Sequence, residues 1–83
     1  MGVYSDAQIA AHIHVYPNPV SKNIHVQAPL PVMLTITGVE GRILRRQSNT
    51  NTLVVEDLPQ GVYLLQIADE QGVLLKTVKF VKN

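Results

Sequence analysis

Gly61-Val62-Tyr63-Leu64-Leu65-Gln66-Ile67-Ala68, followed by Asp69-Glu70-Gln71-Gly72, decides how this chain folds. Tyr63, Leu65 and Ile67 alternate with their neighbours, which puts them on one face of an extended strand. The four residues after the run suit a tight turn: aspartate bonds backbone nearby, and glycine accepts positive φ. The segment after the turn, residues 73–82, then has to return antiparallel. It also fits a helix, with Leu74, Leu75, Val78 and Val81 on one side and Lys76, Lys79 and Lys82 on the other. Against the helix, Phe80 lands among the lysines, and Thr77, Val78 and Val81 are β-branched. The segment therefore reads as a closing strand, its lysines as guards against edge-to-edge pairing.

The same period of two runs upstream. His12-Ile13-His14-Val15-Tyr16 alternates and is stopped by Pro17-Asn18-Pro19, because proline donates no ladder hydrogen bond. Tyr16 and Asn18 each precede a proline, so both are pushed to extended backbone and the piece becomes a rigid kink. It would pin the first strand to the rest of the fold. Ile24 and Val26 share a face in the next run, and Pro29 and Pro31 end it. Val32, Leu34 and Ile36 face one way while Met33, Thr35 and Thr37 face the other. Gly38-Val39-Glu40-Gly41 reads as a hairpin turn with a return strand near residues 42–47. Leu53, Val55 and Leu58 carry a further apolar face before Pro59-Gln60-Gly61. The sum is an all-β chain of about seven short, mainly antiparallel strands, an immunoglobulin-like sandwich. Residues 1–11 read as a linker, with Ser5 and Gln8 marking one helical turn, and residues 12–83 as the domain.

Eighty-three residues allow one thin core, since a chain this short buries only about 60% of its unfolded surface. Three tyrosines, one phenylalanine and no tryptophan make that core aliphatic. Absence of cysteine excludes disulfides, thiolate metal sites and a cysteine nucleophile. A net charge of +1 gives no field for nucleic acid, and no apolar run approaches the ~20 residues of a membrane span. The chain shows no signal peptide of its own, so an export signal would belong to a longer parent.

Chemistry-bearing residues are sparse. His12 and His14 share a strand face and His25 could stand beside them, but without cysteine or a nearby carboxylate they read as surface histidines. Neighbouring Glu56 and Asp57 point apart on a strand, Asp69 and Glu70 belong to a turn, and no serine sits in a glycine elbow. No catalytic group, cofactor site or metal site is therefore expected. Arg42, Arg45 and Arg46 read as solvated strand charges.

Four stretches in order carry a resemblance: Val15-Tyr16-Pro17-Asn18-Pro19, then residues 35–42 with Gly38 and Gly41, then Leu53 and Val55 with Leu58-Pro59-Gln60-Gly61-Val62-Tyr63, then the basic close at residues 76–82. Together they resemble the type A C-terminal sorting domain of the type IX secretion system of Bacteroidetes, over about residues 13–83. The chain departs from that family at Thr37, where members often carry an acidic or amide residue. The resemblance implies a non-catalytic domain fused to a cargo protein. That cargo would be taken from the periplasm through the outer-membrane translocon to the cell surface. A sortase-like surface peptidase would cut in the linker, where Ser5, Ala7, Ala10 and Ala11 are small, and attach the cargo to anionic lipopolysaccharide. Some members stay on as interaction domains of the machinery itself.

Within that reading the terminal strand, with Lys76, Val78, Lys79, Phe80, Val81 and Lys82, is expected to carry recognition by strand addition. Val15 to Pro19, Gly38, Gly41, Leu58, Pro59, Gly61 and Tyr63 are expected to be architectural. A monomer is expected, with an exposed strand edge as the route to any dimer. The rival is an adhesion or carbohydrate-binding module, for which only Tyr4 and Tyr16 offer stacking platforms.

Overall fold

The computed structural model describes residues 6–48 and 50–83, so the Ser5 helix cap lies outside the described residues. In order the elements are α1 (Asp6–Ala11), β1 (His14–Tyr16), β2 (Asn23–Gln27), β3 (Met33–Gly38), β4 (Ile43–Ser48), β5 (Thr52–Val54), β6 (Gly61–Ala68) and β7 (Leu74–Lys82). They form two sheets, β1-β2-β5 and β4-β3-β6-β7, with antiparallel pairing throughout both. This is the sandwich expected from the alternation, with the larger sheet in the order of an immunoglobulin GFC sheet extended by one strand.

Except in β4, the apolar side of each strand faces the space between the sheets. Ile24, Leu34, Ile36, Leu53, Val55, Leu65, Ile67 and Phe80 have no exposure at all. Each such side chain contributes about 1.5–3 kcal/mol by leaving water. In β6, the quoted run, Tyr63, Leu65 and Ile67 point inward as their spacing requires.

Three details differ from the pattern. β1 begins at His14 rather than His12, because His12 and Ile13 donate to the carbonyls of Ile9 and Ala10 and close the last turn of α1. Thr35 and Thr37, on the outward side of β3, are nonetheless buried, since β3 is an inner strand flanked by β4 and β6. Of the two glycines in the β3–β4 turn, only Gly41 uses positive φ (92°). Gly38 instead leaves room for the Glu40 carboxylate, which occupies the space a Cβ would take.

The terminal strand as candidate functional site

β7 is an edge strand of the four-stranded sheet, paired on one side with β6 from Gly61 opposite Lys82 to Ala68 opposite Leu74. The hairpin joining them is set by Asp69, whose Oδ1 accepts from the backbone N–H groups of Gln71 and Val73, both at 2.9 Å. Gly72 completes the turn at φ 88°. A shift in register at Ile67/Ala68 sets Leu75 inward beside the core.

The other side of β7 was expected to be open, and it is closed. Asn18 Oδ1 accepts from Val81 N (3.0 Å), and Asn18 Nδ2 donates to Lys79 O (3.2 Å). One side-chain amide thus supplies the donor and the acceptor that a neighbouring strand would offer. Val20 continues the pairing: its N–H donates to Val81 O (2.9 Å), and its carbonyl accepts from Asn83 N (2.8 Å). Val20 and Lys82 form a parallel bridge, with the Val20 side chain buried. The kink at residues 17–19, expected to pin the first strand, thus makes its hydrogen bonds to the last one. Its reason is chemical: Pro17 and Pro19 have no N–H, so the amide between them takes over the bonding.

The second motif anchors the same strand from inside. Tyr63 donates its hydroxyl hydrogen to Pro59 O, four residues upstream, in the manner of a tyrosine corner. Its ring stacks on Phe80, with centroids 5.5 Å apart and planes tilted by 23°. Leu58 packs against the core, and Gly61 opens β6. Pro59, Tyr63 and Phe80 thus link the loop, the penultimate strand and the terminal strand.

The lysines correct the expectation of solvated edge guards. Lys76 Nζ donates to Ile13 O (2.9 Å) and Ala10 O (3.4 Å), where α1 ends. This is a favourable place for a cation, at the negative C-terminal end of the helix. Lys82 is buried and donates to Asn83 O at 2.9 Å. Only Lys79 stands exposed among the three. Of the six residues assigned to recognition, Phe80 and Lys82 are buried, Lys76 and Val78 half-buried, and only Lys79 and Val81 face solvent.

The arginine cluster also divides. Arg45 makes a bidentate pair with Asp57, Nη2 to Oδ2 at 2.7 Å and Nη1 to Oδ1 at 3.0 Å, and donates to Val54 O. It ties β4 to the β5 edge across an open groove rather than lying solvated, as the sequence reading had it. The hydrogen-bonded guanidinium holds the Asp57 carboxyl below its ordinary range. Arg42 and Arg46 remain exposed.

His25 sits beside Tyr16, with ring centroids 5.4 Å apart, and its Nδ1 lies 3.3 Å from Thr52 Oγ1. Among the described residues no three His, Cys, Asp or Glu side chains converge as a metal site. At Thr37 the hydroxyl is buried with no hydrogen-bond partner among the described residues.

A family model for the secretion system C-terminal sorting domain matches residues 14–83. The chain belongs to that family. It is therefore a type IX secretion sorting domain, as the four quoted stretches suggested. Membership implies export across the outer membrane, and the family acts as a secretion signal. Comparison with curated proteins gave no match. Among solved structures the fold is similar to part of PorZ, an essential bacterial surface component of the type IX secretion system of Porphyromonas gingivalis. The likeness has a TM-score of 0.70 at 21% identity, covering 94% of this chain and 12% of PorZ. The chain thus spans about an eighth of that protein, and the match bears on fold alone. No helix among the described residues is long and apolar enough to cross a membrane.

Proposed function

We propose that this domain is the removable C-terminal address of a fused cargo, and that the type IX translocon recognises the terminal strand in its clamped form. The single observation behind this reading is the convergence of both motif halves on β7. Asn18 and Val20 hold its edge, while Tyr63 holds Phe80 from beneath. A signal that travels on unrelated cargos must be presented by its own fold, and these contacts present it. Recognition by simple strand addition is disfavoured over residues 79–83, where the edge bonds are already made.

After translocation, a sortase-like peptidase removes the domain and joins the cargo to anionic lipopolysaccharide. Its cut falls before α1 rather than at Ala10 or Ala11. Those residues lie in a helix docked on β7 by Lys76, with Ile9 packed against the core. A protease cleft takes extended backbone, which a helix does not offer.

The test is a reporter fused ahead of the chain in a host with a type IX system. Deleting residues 79–83 should leave the reporter in the periplasm, and normal secretion would refute the reading. Because that deletion removes Phe80 from the core, Lys79→Glu is the companion variant. Its side chain is exposed, so the domain stays folded while its solvent side changes. Mass spectrometry of the surface-attached reporter then distinguishes removal before α1 from retention of the whole domain.

A further inference from the structure

Two open sheets have four edge strands, and here three of them are closed or short. β7 is bonded along its end by Asn18 and Val20. On β5 the Thr50 hydroxyl donates to Thr52 O (3.0 Å) and accepts from Thr52 N (3.3 Å), while Arg45 donates to Val54 O. β1 offers three residues before Pro17 ends it. β4 is the exception. All six of its residues except Arg45 are exposed, and among the described residues no loop or side chain bonds to its outer backbone. Every second residue of such a strand turns its N–H and C=O away from its neighbour. Six residues at about 3.3 Å each make about 20 Å of open ladder.

The space beside this edge is open as well. Arg45 and Gln47 lie opposite Ile36 and Leu34, both fully buried, so they hold the core-side positions of β4. Both are polar. They border a groove of about 750 Å³ between the β4 and β5 edges, completed by Thr52, Val54, Glu56 and Asp57. A strand laid along β4 would close this groove, with alternate side chains entering it and the others lying beside Arg46.

We propose that β4 accepts an extended, acidic segment of another protein as an added strand. Its carboxylates lie within reach of Arg42 and Arg46, and its uncharged side chains point toward the groove. The charges select this occupant. Arg45 is neutralised by Asp57, whereas Arg42 and Arg46 have no carboxylate partner among the described residues. None of the six carboxylates of the chain falls within a strand of this sheet. Glu56, exposed at the groove, favours uncharged side chains over acidic ones on that side. A second copy is opposed by the same arginines. Antiparallel overlap of two β4 strands sets Arg45 opposite Arg46, and in-register parallel overlap sets each arginine opposite itself. Arginines that guard the edge against its own copy thus make it selective for an acidic strand. Backbone bonds then supply the affinity and alternate side chains the specificity. The site lies at the far edge of the sheet from the terminal strand and does not rest on the sorting reading.

The test uses the whole domain and capped synthetic peptides as long as β4. In one, glutamate alternates with serine; in another, lysine replaces glutamate; in a third, the glutamate peptide carries a central proline. Fluorescence anisotropy measures binding, and hydrogen exchange resolved by amide locates it. The glutamate peptide should bind about tenfold tighter than the lysine peptide. It should also bind about tenfold tighter than the proline peptide, which keeps the charge and loses ladder hydrogen bonds. Alternate amides of β4 should gain protection. Arg42→Glu/Arg46→Glu, its folding checked by thermal unfolding, should reverse the preference toward the lysine peptide. Equal binding of the proline peptide would reduce the contact to charge attraction and overturn the added strand. Protection away from β4, or no binding of the glutamate peptide, would overturn it too. A dimer in sedimentation with β4 already protected would assign the edge to a second copy instead. Deletion of residues 79–83 tests sorting separately from all of these outcomes.

Discussion

The two edge strands of the larger sheet, β7 and β4, have the same rank in the topology and opposite construction. β7 alternates between core and solvent, carries the fully buried Phe80, and has its free side closed by Asn18 and Val20. β4 has only Arg45 half-buried, with every other residue exposed, and is tied to the opposite sheet through the Arg45–Asp57 pair and Val54 O. One edge is part of the core; the other leans on a surface ion pair. The difference teaches where the chain can be altered without losing the fold, and why the terminal strand cannot be treated as a detachable peptide.

The comparison breaks most sharply at the core positions. Phe80→Ala should cost about 3–5 kcal/mol through lost burial and the cavity left against Tyr63. A domain of this size holds about 4–12 kcal/mol in all, so urea denaturation should find the variant near unfolding. Leu44→Ala on β4, where the side chain is 38% exposed, should cost about 1 kcal/mol or less. Equal losses at the two positions would remove the distinction between the edges.

Asn18→Ala addresses the clamp alone. It removes two hydrogen bonds from β7 without touching the core, and stability should fall by about 1–2 kcal/mol. Hydrogen exchange gives the sharper reading. The Val81 amide should exchange faster by about tenfold, as local opening of the strand end becomes cheaper than global unfolding. An unchanged Val81 amide would mean that Val20 closes the edge unaided.

The strands were legible because each is an alternating run ended by proline, glycine or a polar turn. Seven of them at short intervals leave few arrangements other than a sandwich. The family was legible from four spaced motifs, of which residues 15–19 and 58–63 have clear physical tasks here. What the pattern could not show was long-range pairing. Nothing local says that Asn18 bonds to Lys79 and Val81, although an amide between two prolines is a sign that its side chain, not its backbone, does the bonding. Lys76 looked like a surface charge because helical and strand spacing say nothing about which carbonyls lie within reach of a long side chain. Arg45 misled in the same way, its partner being twelve residues away across a gap between sheets.

The smallest effect, and the one that isolates β4, is the pH dependence of the Arg45–Asp57 pair. Asp57 has its carboxyl held low, first by the hydrogen bond from Arg45 and then by backbone bonding. A group whose value is depressed on folding contributes stability above its unfolded value, about 3.9 for aspartate. That contribution is lost as pH falls through the depressed value, where the folded carboxylate takes up its proton. Asp57→Asn should therefore lower the urea midpoint slightly near neutral pH and leave it close to the parent in strong acid. The pair is exposed on the aspartate side, so solvent screening keeps the shift small and added salt should shrink it further. If the variant instead lost as much in acid as at neutral pH, the tie between β4 and the opposite sheet would rest on the Arg45 bond to Val54 O, and the ion pair would be incidental.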